Sequence, residues 1–251
     1  MENSITVREL YEYSQCPNLY KYKRVNKLKI AQDVDELFEQ ALLSSIRASM
    51  MHLMSSGSIS YKFLVSRWDR SWWESKKTKN ILKEEDMAKY ATKAALYLKS
   101  FYNIYLDDDR YSPIAVNLPY TLDFIYDDYN LNIKGYQDII LLDEKTNKTK
   151  LVMLCPQSKS MFLPGDFYYL NSHLAMNAYL RLDISKEGTE EIIIYSIFGE
   201  KERYLEFTEA GVTRIKREVN GIYNGIENKA YYPSSSNRCK SCLYKINCMG
   251  D

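Results

Sequence analysis

Leu131-Asn132-Ile133-Lys134-Gly135-Tyr136-Gln137-Asp138-Ile139-Ile140-Leu141-Leu142, then Asp143-Glu144-Lys145-Thr146-Asn147, then Lys150-Leu151-Val152-Met153-Leu154-Cys155, is the stretch on which the fold turns. Two short runs rich in branched apolar residues flank five turn-forming residues, which predicts neighbouring strands joined by a tight connection. Upstream, Ile114-Ala115-Val116-Asn117-Leu118 and residues 120–126 predict further strands, with Asp127-Asp128-Tyr129-Asn130 as a turn. Downstream, residues 166–182 have a helical pattern, residues 191–198 form an Ile-rich strand closed by Gly199, and a last helix runs from about Thr208 to Glu227. The residues before the strands are helical. Thr6, with Glu9 three positions on, makes a capping pattern (Ser4 being the other cap candidate), and residues 33–105 carry apolar stripes such as Leu37, Ala41, Leu42 and Ser45. Helices, a strand meander, then helix, strand and helix predict an α/β domain whose mixed central sheet is covered by helices. The expected organisation is an N-terminal segment at 1–30, a helical region at 31–110, an α/β core at 111–230 and a tail at 231–251.

The chain has 251 residues, 45% of them apolar, so it can bury a core and is not a disordered chain. Its formal charge of +1 excludes a uniform polycation, and local charge is more informative. Lys62, Arg67, Arg70, Lys76, Lys77, Lys79 and Lys83 lie against only Asp69 and Glu74, with Trp68, Trp72 and Trp73 among them. A second basic run holds Lys21, Lys23, Arg24, Lys27 and Lys29. Such runs are candidate phosphate contacts and the tryptophans candidate stacking platforms, although the same residues at helical spacing also fill cores and solvated faces. No apolar stretch is long enough to cross a membrane, and five cysteines are too few for an extracellular disulfide scaffold. The expected setting is reducing cytoplasm, of a cell or of a virus-infected host.

Cys239-Lys240-Ser241-Cys242 and Cys248 place three thiols in one short tail segment. A four-coordinate site needs one more. Cys16 is the best candidate, because Cys155 sits inside an apolar strand-like run. Four sulfur ligands suit an iron–sulfur cluster or zinc, and spacing alone does not separate them.

Asp138 would suit a divalent-metal site for phosphoryl transfer if an acid and a lysine stood at the end of the next strand. Cys155-Pro156-Gln157-Ser158-Lys159 stands there instead. Lys159 is a remaining basic candidate, and Glu36, Glu39 and His173 are weak candidates to complete a rearranged site.

Residues 4–6 through Tyr13-Ser14-Gln15-Cys16-Pro17, with Tyr20 and Tyr22 beyond, and the closing Cys239-x2-Cys242-x5-Cys248 resemble the ligand segments of the RecB/AddB-like iron–sulfur branch of the PD-(D/E)XK nuclease superfamily. Gly135 and Asp138 match that family's Gly-x-x-Asp strand. The resemblance implies a restriction-endonuclease-like sheet, a 4Fe-4S cluster on Cys16, Cys239, Cys242 and Cys248 joining the two ends, and DNA as partner. It also implies a degenerate site. The family's Asp/Glu-x-Lys-Thr segment falls on residues 155–158 (or 157–159 if shifted), its early histidine on Gln40, and its later Gln and Tyr on His173 and Asn177. The expected function is therefore a non-catalytic nuclease-like protein that binds DNA or serves in a DNA-processing or transcription complex. The alternatives are a Mg²⁺- or Mn²⁺-dependent deoxyribonuclease using Asp138 in a rearranged site, and a protein-interaction subunit without direct DNA affinity.

Overall fold

The computed structural model describes residues 4–28, 34–77, 84–107, 109–126, 129–155, 167–182, 191–197, 201–206, 208–234, 239, 242 and 244–249. A short strand β1 (Ser4–Thr6) leads into helices α1 (Val7–Gln15) and α2 (Pro17–Tyr20) and a π-helical turn, Lys21–Val25. Thr6 caps α1 through its hydroxyl while Glu9 reaches back to the Thr6 amide, the reciprocal pair the sequence predicts. Pro17 takes the first position of α2, where its missing N–H costs nothing. Three long helices follow: α3 (Val34–Ser56), α4 (Tyr61–Lys77) and α5 (Glu84–Tyr105).

Strands β2 (Tyr111–Tyr126), β3 (Tyr129–Asp143) and β4 (Lys148–Cys155) come next, then α6 (Phe167–Tyr179), β5 (Glu191–Ser196), β6 (Lys201–Glu206), α7 (Glu209–Glu227) and a short α8 (Lys245–Met249). The sheet is mixed. β3 pairs antiparallel with β2 on one side and, on its other side, parallel with β1 and antiparallel with β4; β4 runs parallel to β5, and β6 closes the sheet antiparallel to β5. β2 and β3 are longer than the sequence suggests, because Pro113 and Pro119 are tolerated on a strand paired along one edge only. β1 and β6 were not expected; β1 has three residues, and β6 (Lys-Glu-Arg-Tyr-Leu-Glu) is a polar edge strand.

Helices cover both faces. On one, Leu42, Ile46 and Met50 of α3, Leu64 of α4 and Leu98 and Phe101 of α5 pack on Ile139, Leu141, Val152 and Leu154. On the other, Ala175, Met176 and Tyr179 of α6 pack on Ile140, Leu151, Met153 and Cys155. A third cluster joins Leu10, Tyr13, Leu131, Ile133, Leu174, Ile215 and Val219, tying α1, α6 and α7 to the far half of the β2–β3 hairpin. Burial on both faces explains why β4 and β5 read as unbroken apolar runs.

The hairpin is irregular at two places: a bulge at Ile114 shifts the register between Pro113 and Ala115, and a second irregularity, at Asn117 and Asp138, changes which face the residues of β3 present. Asn117 has φ +53°, and the pairing of β2 with β3 skips Asn117 and Asp138. Asparagine tolerates this left-handed conformation better than most residues. Leu131 and Ile133 face α1, α6 and α7 before the irregularity, whereas Ile139 and Leu141 face α3, α4 and α5 after it.

The two ends of the described chain interlock. Tyr13 donates its hydroxyl to the Ala230 carbonyl at 2.7 Å, Tyr22 donates to the Asn247 carbonyl at 2.7 Å, and Tyr244 donates to the Leu28 carbonyl at 3.2 Å. Tyr22 stacks on Tyr244 and Tyr20 on Tyr231. Among the described residues, no helix is long and apolar enough to cross a membrane.

Candidate functional site

Asp138 sits at the irregularity in β3, buried under α3. Its Oδ1 accepts from Arg47 Nη2 at 2.5 Å and Nε at 3.2 Å, and its Oδ2 accepts from the Leu154 amide at 2.9 Å. Both oxygens are engaged within the protein. The β4 neighbour beside Asp138 is Leu154, and Cys155 turns to the opposite face among Ile140, Met153 and Met176. Cys155, on which the resemblance places the first residue of the family's Asp/Glu-x-Lys-Thr segment, therefore faces away from Asp138, because strand alternation carries it there. Residues 156–159, including Lys159, lie outside the described residues.

Arg47 was not singled out from the sequence. Its signal is an arginine within the otherwise apolar and small run Leu42-Leu43-Ser44-Ser45-Ile46-Arg47-Ala48-Ser49-Met50. Glu39 lies about two turns earlier on α3 and is half-buried, Gln40 is exposed, and Glu36 lies in the first turn of the helix with its side chain outside the described residues. The carboxylate partner that α3 supplies is thus a cation and not an acid. His173 belongs elsewhere: it is buried on α6 against Gly211 of α7, where a β-carbon would come within 3.0 Å of its Cε1. Burial lowers its pKa to about 4, so it is neutral at physiological pH.

The aromatic-basic region divides. Trp68 and Trp72 are buried, stacked on each other and set edge-on to Phe38, so they are core residues and not stacking platforms; at four-residue spacing they fall on the inward stripe of α4. Trp73, one position on, is 58% exposed. Arg67 lies over the Phe63 ring, and Arg70 pairs with Glu74 at the surface. Lys76 and Lys77 close α4 with side chains outside the described residues, as is Lys79 altogether. Near the amino end, buried Glu12 draws in Arg24 at 2.6 Å, Arg8 at 3.4 Å and Lys23 at 3.6 Å. Lys23 and Arg24 therefore hold the chain's own carboxylate, while Lys21 lies half-buried in the π-helical turn.

Cys16 joins α1 to α2, and Cys248 lies in α8. Asn18 Nδ2 approaches Cys248 Sγ at 3.7 Å, and the Cys239 thiol approaches the Ser234 carbonyl at 3.5 Å. Burial, then the neighbouring Cys248 and Cys16 sulfurs, raises the Tyr22 phenol above its usual range, so one ring senses a cysteine from each end of the chain. All four cysteines are half-buried and free of disulfides, and Cys155 is fully buried apart from them. Among the described residues, no group of three or more His, Cys, Asp or Glu side chains is gathered closely enough to hold a metal ion. Thiols are the donor type that a sulfur-ligated centre uses, so the four cysteines match such a centre in chemistry, while their described positions do not gather them into one.

The fold defines this chain as a mixed α/β protein with a mixed sheet flanked by helices. Among solved structures it is similar to a protein described as "Crystal structure of SSO0001", at 14% identity and a TM-score of 0.45, over 99% of this chain and 86% of that one. No family model matches the chain, and no curated protein matches it.

Proposed function

We propose that this chain is a nuclease-like iron–sulfur protein that has lost cleavage and acts by binding DNA, or as a subunit of a DNA-processing or transcription complex. The observation that carries the reading is the Arg47 guanidinium on Asp138. In the resemblance, that aspartate would hold a divalent metal; here an internal cation takes its charge, and Cys155, the position the resemblance gives to a second acid, faces away from it. The restriction-endonuclease-like description of the sheet rests on the same motif match.

The cofactor reading is supported by the meeting of the two chain ends around Tyr22. Cys16, Cys239, Cys242 and Cys248 would hold a 4Fe-4S cluster, which would supply a covalent tie between remote segments and needs no electron-transfer role. DNA contact would fall to Arg67, Arg70, Trp73 and Lys21, with Lys76, Lys77 and Lys79 as further candidates from the sequence. A second reading, a complex subunit without direct DNA affinity, is favoured by the burial of Trp68 and Trp72 and by the engagement of Lys23 and Arg24 with Glu12.

Protein prepared without oxygen, with iron and zinc quantified, and incubated with single- and double-stranded DNA plus Mg²⁺ or Mn²⁺ tests these readings. Salt-sensitive binding without cleavage is expected. Cleavage abolished by Asp138→Ala in folded, metal-loaded protein would overturn the non-catalytic reading, and no binding at low salt would favour the complex subunit.

A further inference from the structure

One edge of the sheet is protected along only half of its length. Among the described strands β2 pairs with β3 alone, so its outer edge carries no ladder partner. An open edge accepts another strand, and proteins blunt such edges with proline, charged residues or bulges. The first half of β2 has these devices: Pro113 and Pro119, the bulge at Ile114 and the irregularity at Asn117. The second half, Tyr120-Thr121-Leu122-Asp123-Phe124-Ile125, has only the Asp123 carboxylate, and it pairs with β3 without a break. Ile125, at its end, is 71% exposed.

A cavity of about 280 Å³ lies along this second half, between β2 and helices α6 and α7. Leu122, Asp123, Phe124 and Ile125 all line it. Alternate side chains of a strand point to opposite faces, so a cavity touching four consecutive residues follows the strand's backbone, where the edge amides and carbonyls lie. The innermost lining, Leu122, His173, Leu174 and Ile215, is buried core. The open space is therefore at the mouth, walled by half-buried Phe124 and Val212 and rimmed by Asn177, Arg181 and Lys216. Arg181 and Lys216 are exposed, and neither makes an ion pair among the described residues.

An unprotected strand edge, an apolar wall beside it and two uncompensated cations select an extended peptide. A strand added to β2 supplies both donors and acceptors to the edge. Its side chains alternate, so residues two apart enter the groove together: an apolar one meets Phe124 and Val212, and an acidic one meets Arg181 and Lys216. Nucleic-acid phosphates would satisfy the cations but carry no donor for the strand's carbonyls.

We propose that the second half of β2 is a docking edge for an extended acidic segment of a partner protein, held by main-chain hydrogen bonds to the strand and by Arg181 and Lys216. The edge from Tyr120 to Ile125 is about 20 Å long at about 3.4 Å per residue. This gives the complex-subunit reading a specific surface without resting on it. The groove involves neither the cysteines nor Asp138, so loss of a metal centre or of DNA affinity would leave the docking intact.

Fluorescence anisotropy of the full chain with labelled heptapeptides tests the assignment. One peptide alternates valine and glutamate, one alternates valine and lysine, and two are versions of the first N-methylated at alternate amides in either phase. The expected result is saturable 1:1 binding of the valine–glutamate peptide, at least about tenfold tighter than the valine–lysine peptide. One methylated version should bind as its parent does and the other should lose at least about tenfold, because a strand bonded along one edge uses every second amide. The double variant Arg181→Glu/Lys216→Glu, altered only at exposed side chains, should invert the preference between the two charge types at unchanged melting temperature. No saturable binding of the valine–glutamate peptide up to millimolar concentration, an equal response to both methylation phases, or a preference that survives the charge reversal would overturn the proposal. So would displacement of the peptide by an equally tight single-stranded heptanucleotide, which would give the groove to nucleic acid. A dimer in sedimentation that the peptide fails to dissociate would give the edge to a second copy and overturn it as well.

Discussion

Arg47 Nη2 lies 2.5 Å from Asp138 Oδ1, joining the middle of α3 to the irregular point of β3. The carboxylate is almost wholly buried and the guanidinium about one-third exposed. Removing one partner of such a pair leaves a charge without compensation, which costs more than the pair itself contributes. Arg47→Ala should lower unfolding stability by about 2–4 kcal/mol, discounted from the fully buried case for the exposure of the arginine. Arg47→Met combined with Asp138→Leu should recover most of that loss. Urea unfolding of the two single variants and the double variant measures the coupling; additive losses would show that the pair is not a unit.

Gly135 is required by contact rather than by conformation. It is paired with Tyr120 across the hairpin, and a β-carbon there would overlap the Tyr120 Cζ and hydroxyl. The Tyr120 phenol is pushed upward first by burial and then by the charge of Asp138. Gly135→Ala should cost about 1–3 kcal/mol by overpacking. Adding Tyr120→Leu should make the combined loss smaller than the sum of the two, and thermal melts of the three variants decide it.

Acid sensitivity should have two separate origins. His173, with a pKa of about 4 in the folded chain, ordinarily titrates near 6.5, so the unfolded chain takes up its proton first. Its stability contribution is complete above about pH 6.5, falls as pH drops toward 4, and amounts on the order of 3 kcal/mol across that window. Asp143 is held far below the usual carboxylate range, chiefly by the hydrogen bond from Arg110, with the Lys145 amide and the charges of Arg110 and Lys150 outweighing its burial. Its contribution persists above the ordinary aspartate range and is lost only at still lower pH. Urea midpoints between pH 7.5 and 4 should flatten in His173→Gln and stay steep in Asp143→Asn; the reverse would reassign the transition.

The strand meander was legible because alternation and turn chemistry agree over residues 111–155, and α1 because Thr6 and Glu9 cap it reciprocally. β6 was not, since a charged edge strand buries too little apolar surface to impose a pattern. Asp138 stood out in the sequence and its partner did not: Arg47 lies ninety-one positions away, and only the packing of α3 on β3 brings them together. The phase change at Asn117 was hidden for a similar reason, because a single left-handed residue leaves the periodicity on either side intact.

The tryptophans separate packing from contact with DNA. Trp68 is buried against Phe38 and Trp72, and Trp68→Ala should cost about 3–5 kcal/mol. Trp73 is exposed, so Trp73→Ala should stay within about 0.5 kcal/mol of the parent. If single-stranded DNA stacks on a tryptophan of this helix, Trp73 is the exposed one that can respond. Fluorescence quenching by DNA should then vanish in Trp73→Phe and persist in a Trp72→Phe chain that still folds; quenching that survives loss of Trp73 would move the contact elsewhere.

Cys16 and Cys155 provide the sharpest contrast for the proposed centre, since both are thiols in the same protein with opposite surroundings. Cys155 is sealed among Ile140, Met153 and Met176, and its replacement by serine should leave bound metal unchanged while costing stability through a buried hydroxyl. Cys16 precedes by two residues Asn18, which meets Cys248, and shares its segment with Tyr22, which meets Asn247, so its loss should remove one proposed ligand and loosen the junction of the two ends together. Cys16→Ser should therefore lose iron and acid-labile sulfide and at least about 2 kcal/mol of stability, a fall of about 4–8 °C in melting temperature. Zinc in place of iron would keep the four-sulfur site and change its occupant. Full metal content and an unaltered melting temperature in Cys16→Ser would remove Cys16 from the ligand set, because a thiol that closes the loop between the chain ends cannot be lost without releasing that loop.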